Sequence, residues 1–419
     1  MKTYVFITRC ICGIGGAEQY IYNKVKYLES QGWRVLVFSG RHGEILIHEF
    51  ERFTPLIIPT LEWCPECYSN KEVQEVIQRI TAEVGDCNGD ACIIESNSVI
   101  RAVWAELVAE RLHARHLAII LQEKHAYSAD IKRFLRFKYD RHELAGITVI
   151  SVKQMLADDQ LETRDDTRIV AYCNNVIVDC DDRCSPLLNK NADYTFASIG
   201  RLEKPCVLPI VYGFRSYFQS HPSQQFNLVM IGSSPVKNRA DQIREVLQTC
   251  NNVNLVFTGN VYPIPHSFVE NVDVFVSTAG SSNATYRVGR PTVKVHPVTG
   301  EPIGVIGLDF DMKEKSMYDS TAGMTIEDCI SRALSNANDI VYNYSFDDAY
   351  NDHMSEEFDR QISFADIAPA NEYYDKSSLM RLRTPALRHH FVRWLSGHIV
   401  GGTIQEKLRM LRMRQQKHE

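Results

Sequence analysis

Two successive series of short β-branched runs, each alternating with amphipathic stretches of helical period, constrain this chain more than any single motif. Such alternation builds parallel sheets flanked by helices. In the first series Tyr4–Ile7, Val35–Ser39, Ala91–Glu95, Leu117–Leu121 and Ile147–Ser151 read as buried strands, with helices expected at Glu18–Ser30, Lys71–Val84 and Val99–Leu112. The second series runs through Tyr194–Ile199, Phe226–Ile231, Val253–Thr258, Val272–Ser277 and Thr292–His296. A length of 419 residues exceeds what one core usually supports, so each series is read as one α/β lobe. The connection is expected after Asn175, in the Asp- and Asn-rich stretch Asp179–Asp193. The expected domains are 1–180 and 190–365, followed by a basic helical segment, 366–419.

That last segment carries nine Lys or Arg between Met380 and Glu419, against only Glu406 and Glu419 as acids. Phe391, Trp394, Leu395, Leu408 and Leu411 are interleaved with them. It reads as a terminal helix with a solvated face or, on the sharper reading, as a peripheral contact for anionic lipid headgroups. The chain as a whole has a net charge of -6, which excludes a nucleic-acid binder whose entire surface is basic. No uninterrupted apolar run approaches the roughly 18 residues a membrane-spanning helix needs, so a cytoplasmic protein is expected, in peripheral contact with a membrane at most. Twelve cysteines are scattered rather than framed, as free thiols in a reducing compartment would be. Cys64 and Cys67 have C-x-x-C spacing, but Cys87 and Cys92 do not complete a usual zinc ribbon, and no metal site is assigned.

Chemistry concentrates where strands hand over to helices. The loop Cys12-Gly13-Ile14-Gly15-Gly16-Ala17-Glu18 joins the first strand to the first long helix. Glycines there let a ligand approach the backbone, and the N–H groups at the helix start favour anions, although a plain structural turn uses the same residues. A dinucleotide fingerprint would read G-x-G-x-x-G, and the loop reads G-x-G-G-A-E, which counts against a dehydrogenase.

The same loop, followed by Gly32-Trp33-Arg34-Val35, resembles the first lobe of the retaining GT-B glycosyltransferases, a family that includes many bacterial polysaccharide and lipopolysaccharide enzymes. Other phrases follow in the family's order. His125 stands after the fourth strand, Val149-Ile150-Ser151 resembles the end of the first lobe, and Asn174-Asn175-Val176 resembles the phrase before the linker. Ser198-Ile199-Gly200-Arg201-Leu202 resembles the phrase that opens the nucleotide lobe, and Val272–Ser277 with Gly289-Arg290-Pro291-Thr292-Val293 resembles its later strands. The resemblance extends over about 300 residues.

It implies an α/β fold of two Rossmann-like lobes with parallel sheets and a cleft between them. The implied activity is metal-independent transfer of a hexose from a nucleoside-diphosphate sugar to a glycan or lipid-linked acceptor, as in cell-surface polysaccharide synthesis. The sugar donor is then a co-substrate, and no cofactor is implied. His125 would contact the sugar, while Arg201 and Lys204 would neutralise the departing diphosphate. Gly15, Gly16 and Glu18 would face donor or acceptor. A loop of Gly280, Ser281, Ser282 and Asn283, opening a helix near Asn283 and aided by Thr285, would bind the donor. Ser282 and Asn283 are also ordinary capping residues. The sequence departs from the family in one place: the usual pair of glutamates seven residues apart is missing, with no acid from Val274 to Gly300. That departure supports a second expectation, a catalytically degenerate protein that binds a glycan or a partner.

Overall fold

A computed structural model describes residues 2–85, 92–121, 127–171, 177–234, 236, 238–312, 315, 319, 323–343, 348–367 and 372–380, with 348–352 and 365–367 described as helical backbone only. His125, Asn174–Val176 and the basic segment beyond Met380 lie outside the described residues. The chain forms two compact units, dividing at 172/173 and again at 353/354, after which it returns to the first unit.

In the first unit five strands form an all-parallel sheet: β1 (Thr3–Thr8), β2 (Arg34–Ser39), β3 (Cys92–Ser96), β4 (Arg115–Ile120) and β5 (Leu144–Gly146), in the order β2-β1-β3-β4-β5. Every residue of β1 and β3 is buried, as expected of strands covered on both faces. The expected strand Ile147–Ser151 is not formed. Thr148 caps a helix Val149–Leu156, its hydroxyl accepting from the Ser151 N–H at 3.0 Å while the Thr148 N–H donates to Ser151 Oγ at 3.2 Å. This reciprocal capping outweighs the β-propensity of Ile147 to Ile150, and the strand falls earlier, at Leu144–Gly146.

The second unit begins with the short β6 (Ile177–Val178), followed by β7 (Tyr194–Ile199), β8 (Phe226–Ile231), β9 (Val253–Gly259), β10 (Ile264–Pro265), β11 (Val274–Ser277), β12 (Thr292–Val295) and β13 (Pro302–Val305). Six of them form one sheet in the order β13-β12-β11-β7-β8-β9, parallel except for β13, while β6 pairs with β10. The core is aromatic: the Phe196 ring on β7 lies 5.9 Å from Phe214, 6.0 Å from Phe218 and 5.7 Å from Phe226.

The unit boundaries depart from the expected ones at both ends. β6 belongs to the second unit, so the division precedes the expected linker. The helix Asp348–Ile367, expected to lie mostly in the second domain, carries the chain back, and from residue 354 it packs on the first unit. Gln361 Oε1 accepts from Lys24 Nζ and from the Tyr20 hydroxyl, each at 2.8 Å, and Arg360 donates to the carbonyls of Asp165 and Arg168. Lys24 in turn pairs with Glu95 at 2.6 Å, both fully buried, and Tyr4 and Asn97 donate to the same carboxylate. The described start of the expected third segment also packs here. The Tyr374 N–H donates to Glu106 Oε1 at 2.9 Å, with its ring 5.4 Å from both Phe134 and Phe137.

Candidate functional site

In the second unit the chain passes from β7 to β8 and β9 on one side, then resumes at β11 on the other. The segments leaving β7 and β11 therefore diverge, and a crevice opens outside their carboxyl ends, where open α/β sheets bind ligands. A small, open pocket lies there, lined by Ser198–Leu202, Lys204, Cys206, Val207, Ile210, Met230, Ser277 and Thr278.

Glycines shape the turn that borders it. The Gly200 N–H donates to the Ile231 carbonyl at 2.9 Å and the Leu202 N–H to that of Ser233 at 3.0 Å, tying the turn after β7 onto the end of β8. The turn fits only because position 232 has no side chain. Across the strand gap the Ile199 N–H donates to Ser277 Oγ at 3.1 Å, locking β11 beside β7.

Two predicted cations meet at this pocket. Arg201 keeps its side chain 67% exposed and pairs with Glu203 at 3.3 Å. Lys204 is half-buried, and no ion pair or hydrogen bond holds its ammonium among the described residues. Burial pushes its pKa below the usual lysine value against a pull from Cys206, with smaller opposing contributions from Arg201, which lowers it, and Glu203, which raises it. An ammonium left in this state favours an incoming anion.

The predicted loop 280–283 is not a loop. β11 ends at Ser277, Thr278 takes the N-cap position, and the helix Ala279–Arg287 already contains Gly280, Ser281, Ser282, Asn283 and Thr285. Ser282 and Thr285 are fully buried and turned to their own backbone. Ser282 Oγ donates to the Ala279 carbonyl at 2.7 Å, and Thr285 Oγ1 meets Thr292 Oγ1 at 2.9 Å. Both are structural here, which corrects their assignment to the donor. Gly280 is exposed at the helix start, where free N–H groups point outward, and Ser281 and Asn283 are half-buried. Asn283 Oδ1 has no partner among the described residues.

The residue that sequence reasoning missed is Thr278. It lines the pocket, is 3% exposed, and neither caps its helix nor finds any other partner for Oγ1 among the described residues. The next residue, Ala279, has φ 51°, a left-handed conformation that costs energy for any residue with a Cβ and is concentrated at functional sites. A serine or threonine one residue beyond a buried strand was the available signal. Among the described residues no carboxylate lines this pocket, and Glu301 is engaged in the turn between β12 and β13 with Thr299.

In the first unit Gly15 and Gly16 are exposed at the start of the helix Gly16–Ser30, and Glu18 folds back over them. A Cβ at Gly15 would stand 2.7 Å from Glu18 Oε2. The carboxylate thus sits at the positive end of its own helix. Elsewhere in this unit Ser96 Oγ lies 2.9 Å from His116 Nε2, and His116 Nδ1 lies 2.6 Å from Glu106 Oε2, spacings that match a nucleophile, base and acid. All three are at most 1% exposed, and Lys138 also holds Glu106 at 2.9 Å, so the network serves the core. Among the described residues the cysteines are free thiols, Cys64 and Cys67 are buried, and no cluster of three His, Cys, Asp or Glu is placed to hold a metal. No described helix is long and apolar enough to cross a membrane.

No family profile and no curated protein matches the sequence. Solved structures do match in shape. A glycosyltransferase from Rickettsia africae ESF-5 superposes with a TM-score of 0.54 at 12% identity, over 93% of this chain and 97% of that one. The Anabaena HepE protein, solved in complex with UDP and glucose, superposes with a TM-score of 0.50 at 11% identity, over 93% of this chain and all of that one. The fold is therefore that of GT-B glycosyltransferases, two Rossmann-like α/β units with parallel sheets.

Proposed function

We propose that the protein is a glycosyltransferase whose second unit binds a nucleoside-diphosphate sugar. One observation carries this reading: the Lys204 ammonium and the Thr278 hydroxyl, neither with a partner among the described residues, line one pocket at the switch point between β7 and β11, and Thr278 is the N-cap of the helix Ala279–Arg287. Together they offer positive charge, a hydroxyl and free N–H groups to a diphosphate, with Arg201 at the rim. Stabilising charge on a departing diphosphate with preorganised donors is what a metal-independent sugar transfer requires. The proteins of like fold include one solved with UDP and glucose, which supports a uridine nucleotide as the first donor to try.

The acceptor in this reading is a glycan or lipid-linked glycan, and His125, outside the described residues, remains the proposed sugar contact. Transfer with retention, a role in cell-surface polysaccharide synthesis, a cytoplasmic location and a membrane contact through the basic C-terminal segment are parts of the same proposal.

A thermal-shift series with UDP, GDP, ADP and CMP and their sugars tests it, since a ligand at 100 times its Kd stabilises the fold by about 2.7 kcal/mol. A shift selective for one nucleotide, abolished in Lys204→Ala, is expected. No shift with any of them would sink the donor assignment. The acid-free lining of the pocket favours one alternative, a degenerate relative that binds without turnover. Nucleotide binding with no hydrolysis or transfer of the bound sugar would select it.

A further inference from the structure

The first sheet has a switch point of its own. β1 leads to β2 on one side and the chain resumes at β3 on the other, so the segments leaving β1 and β3 diverge. β3 ends at Ser96, and Asn97 and Ser98 then lead into the 14-residue helix Val99–Leu112. Ser98 stands at the N-cap with extended backbone, yet its side chain makes no capping bond. It is 4% exposed, and its hydroxyl has no partner among the described residues.

Arg101, in the first turn of that helix, is 3% exposed. One terminal nitrogen reaches Glu62 at 3.4 Å, while Nε has no partner among the described residues. Arg9, on the segment leaving β1, approaches the same Glu62 at 3.9 Å. Two guanidinium groups therefore share one carboxylate at the positive end of a helix. Burial holds the Arg101 pKa down at about 10 against the pull of Glu62, with Arg9 acting in the same direction as burial.

Asn97 refines the chemistry. Its amide nitrogen is committed to Glu95 Oε1 at 2.7 Å, which fixes the side-chain orientation, and leaves its buried Oδ1 as an acceptor without a partner among the described residues. An anion alone would not satisfy a carbonyl oxygen, whereas a neighbouring hydroxyl would.

We propose that the first unit carries a second ligand site, for a phosphorylated sugar or polyol, in which Arg101, the Ser98 hydroxyl and the start of the helix Val99–Leu112 hold the phosphate and Asn97 Oδ1 accepts from an adjacent hydroxyl. This assignment is independent of the donor pocket, and within the proposed function it gives the acceptor an anionic group.

The experiment uses the full chain carrying Arg201→Ala and Lys204→Ala, so that the second unit's pocket does not contribute. Inorganic phosphate and a hexose 6-phosphate are titrated by calorimetry, and loss of nucleotide binding in the unmodified chain would be read separately. Both probes are expected to bind, the hexose 6-phosphate more tightly, and each of Ser98→Ala and Arg101→Lys is expected to weaken it about tenfold. Because the Ser98 hydroxyl caps nothing, Ser98→Ala should leave the ligand-free melting temperature unchanged. The proposal is overturned if neither probe binds, if the two bind equally, if both substitutions leave affinity untouched, or if Ser98→Ala melts early as a lost cap does.

Discussion

Gly232 lies so close to Gly200 that a Cβ at position 232 would stand 2.1 Å from the Gly200 carbonyl oxygen, well inside contact distance. Position 232 also has φ 138°, which side-chain-bearing residues rarely adopt. Gly232→Ala should therefore push the turn 200–202 off the end of β8. We expect it to destabilise the second unit by about 3 kcal/mol. Nucleotide-induced thermal shift should be lost with it, whereas Gly280→Ala, with open space around its Cβ, should leave the melting temperature near its starting value.

If the second unit binds a nucleoside diphosphate as proposed, Lys204 should make that binding sensitive to alkali. Its folded pKa lies below the 10.5 of a free lysine, so the folded state sheds this proton before the unfolded chain does. The cost of the buried charge applies below the lowered pKa and disappears as pH rises through it. Ligand-free stability should accordingly rise with pH in the window leading up to 10.5, while affinity for a nucleoside diphosphate falls over that window. Calorimetric titration from neutral pH upward reads the affinity, and Lys204→Met should flatten both dependences.

Thr278 and Thr285 separate binding from support. Thr278→Val replaces an unpartnered hydroxyl and should weaken nucleotide binding about tenfold with no loss of stability. Thr285→Val breaks the bond to Thr292 and should cost about 1 kcal/mol of stability with binding intact. Urea unfolding and nucleotide titration of both variants distinguish the roles; a reversed pattern would return Thr285 to the donor site.

The Lys24–Glu95 pair should be costly to halve. Lys24→Ala leaves the Glu95 carboxylate uncompensated in the core, and a loss of about 3–5 kcal/mol is expected. Lys24→Met combined with Glu95→Gln, which removes both charges, should recover part of that loss in the same denaturation assay.

Much of the fold was legible because parallel strands covered on both faces are largely apolar, and Tyr4–Ile7 of β1, Cys92–Ile94 of β3 and Leu228–Ile231 of β8 are apolar runs. The misread strand at Ile147 shows where that logic fails: two hydroxyl residues three apart, Thr148 and Ser151, converted a β-branched run into a helix whose Ile150 is 67% exposed. That Arg201 and Lys204 share one turn was readable because the turn is local, and both line the pocket after β7. Thr278 was hidden because Gly280, Ser281 and Asn283 read as a loop, which moved the expected helix start past it. The packing of residues 354–364 on the first unit depends on contacts with Lys24 and Tyr20, more than 300 positions away, and no local pattern encodes such a pairing.

That return of the chain sets an order of synthesis. The second unit is one uninterrupted stretch, whereas the first is split around it. During translation every residue of the second unit leaves the ribosome before Gln361 does, so the inserted unit is the first with its whole sequence in hand. Until Gln361 emerges, the Lys24 ammonium lacks one of its final hydrogen-bond partners. A nascent chain stalled just short of that residue would hold the whole second unit while the first is still unfinished.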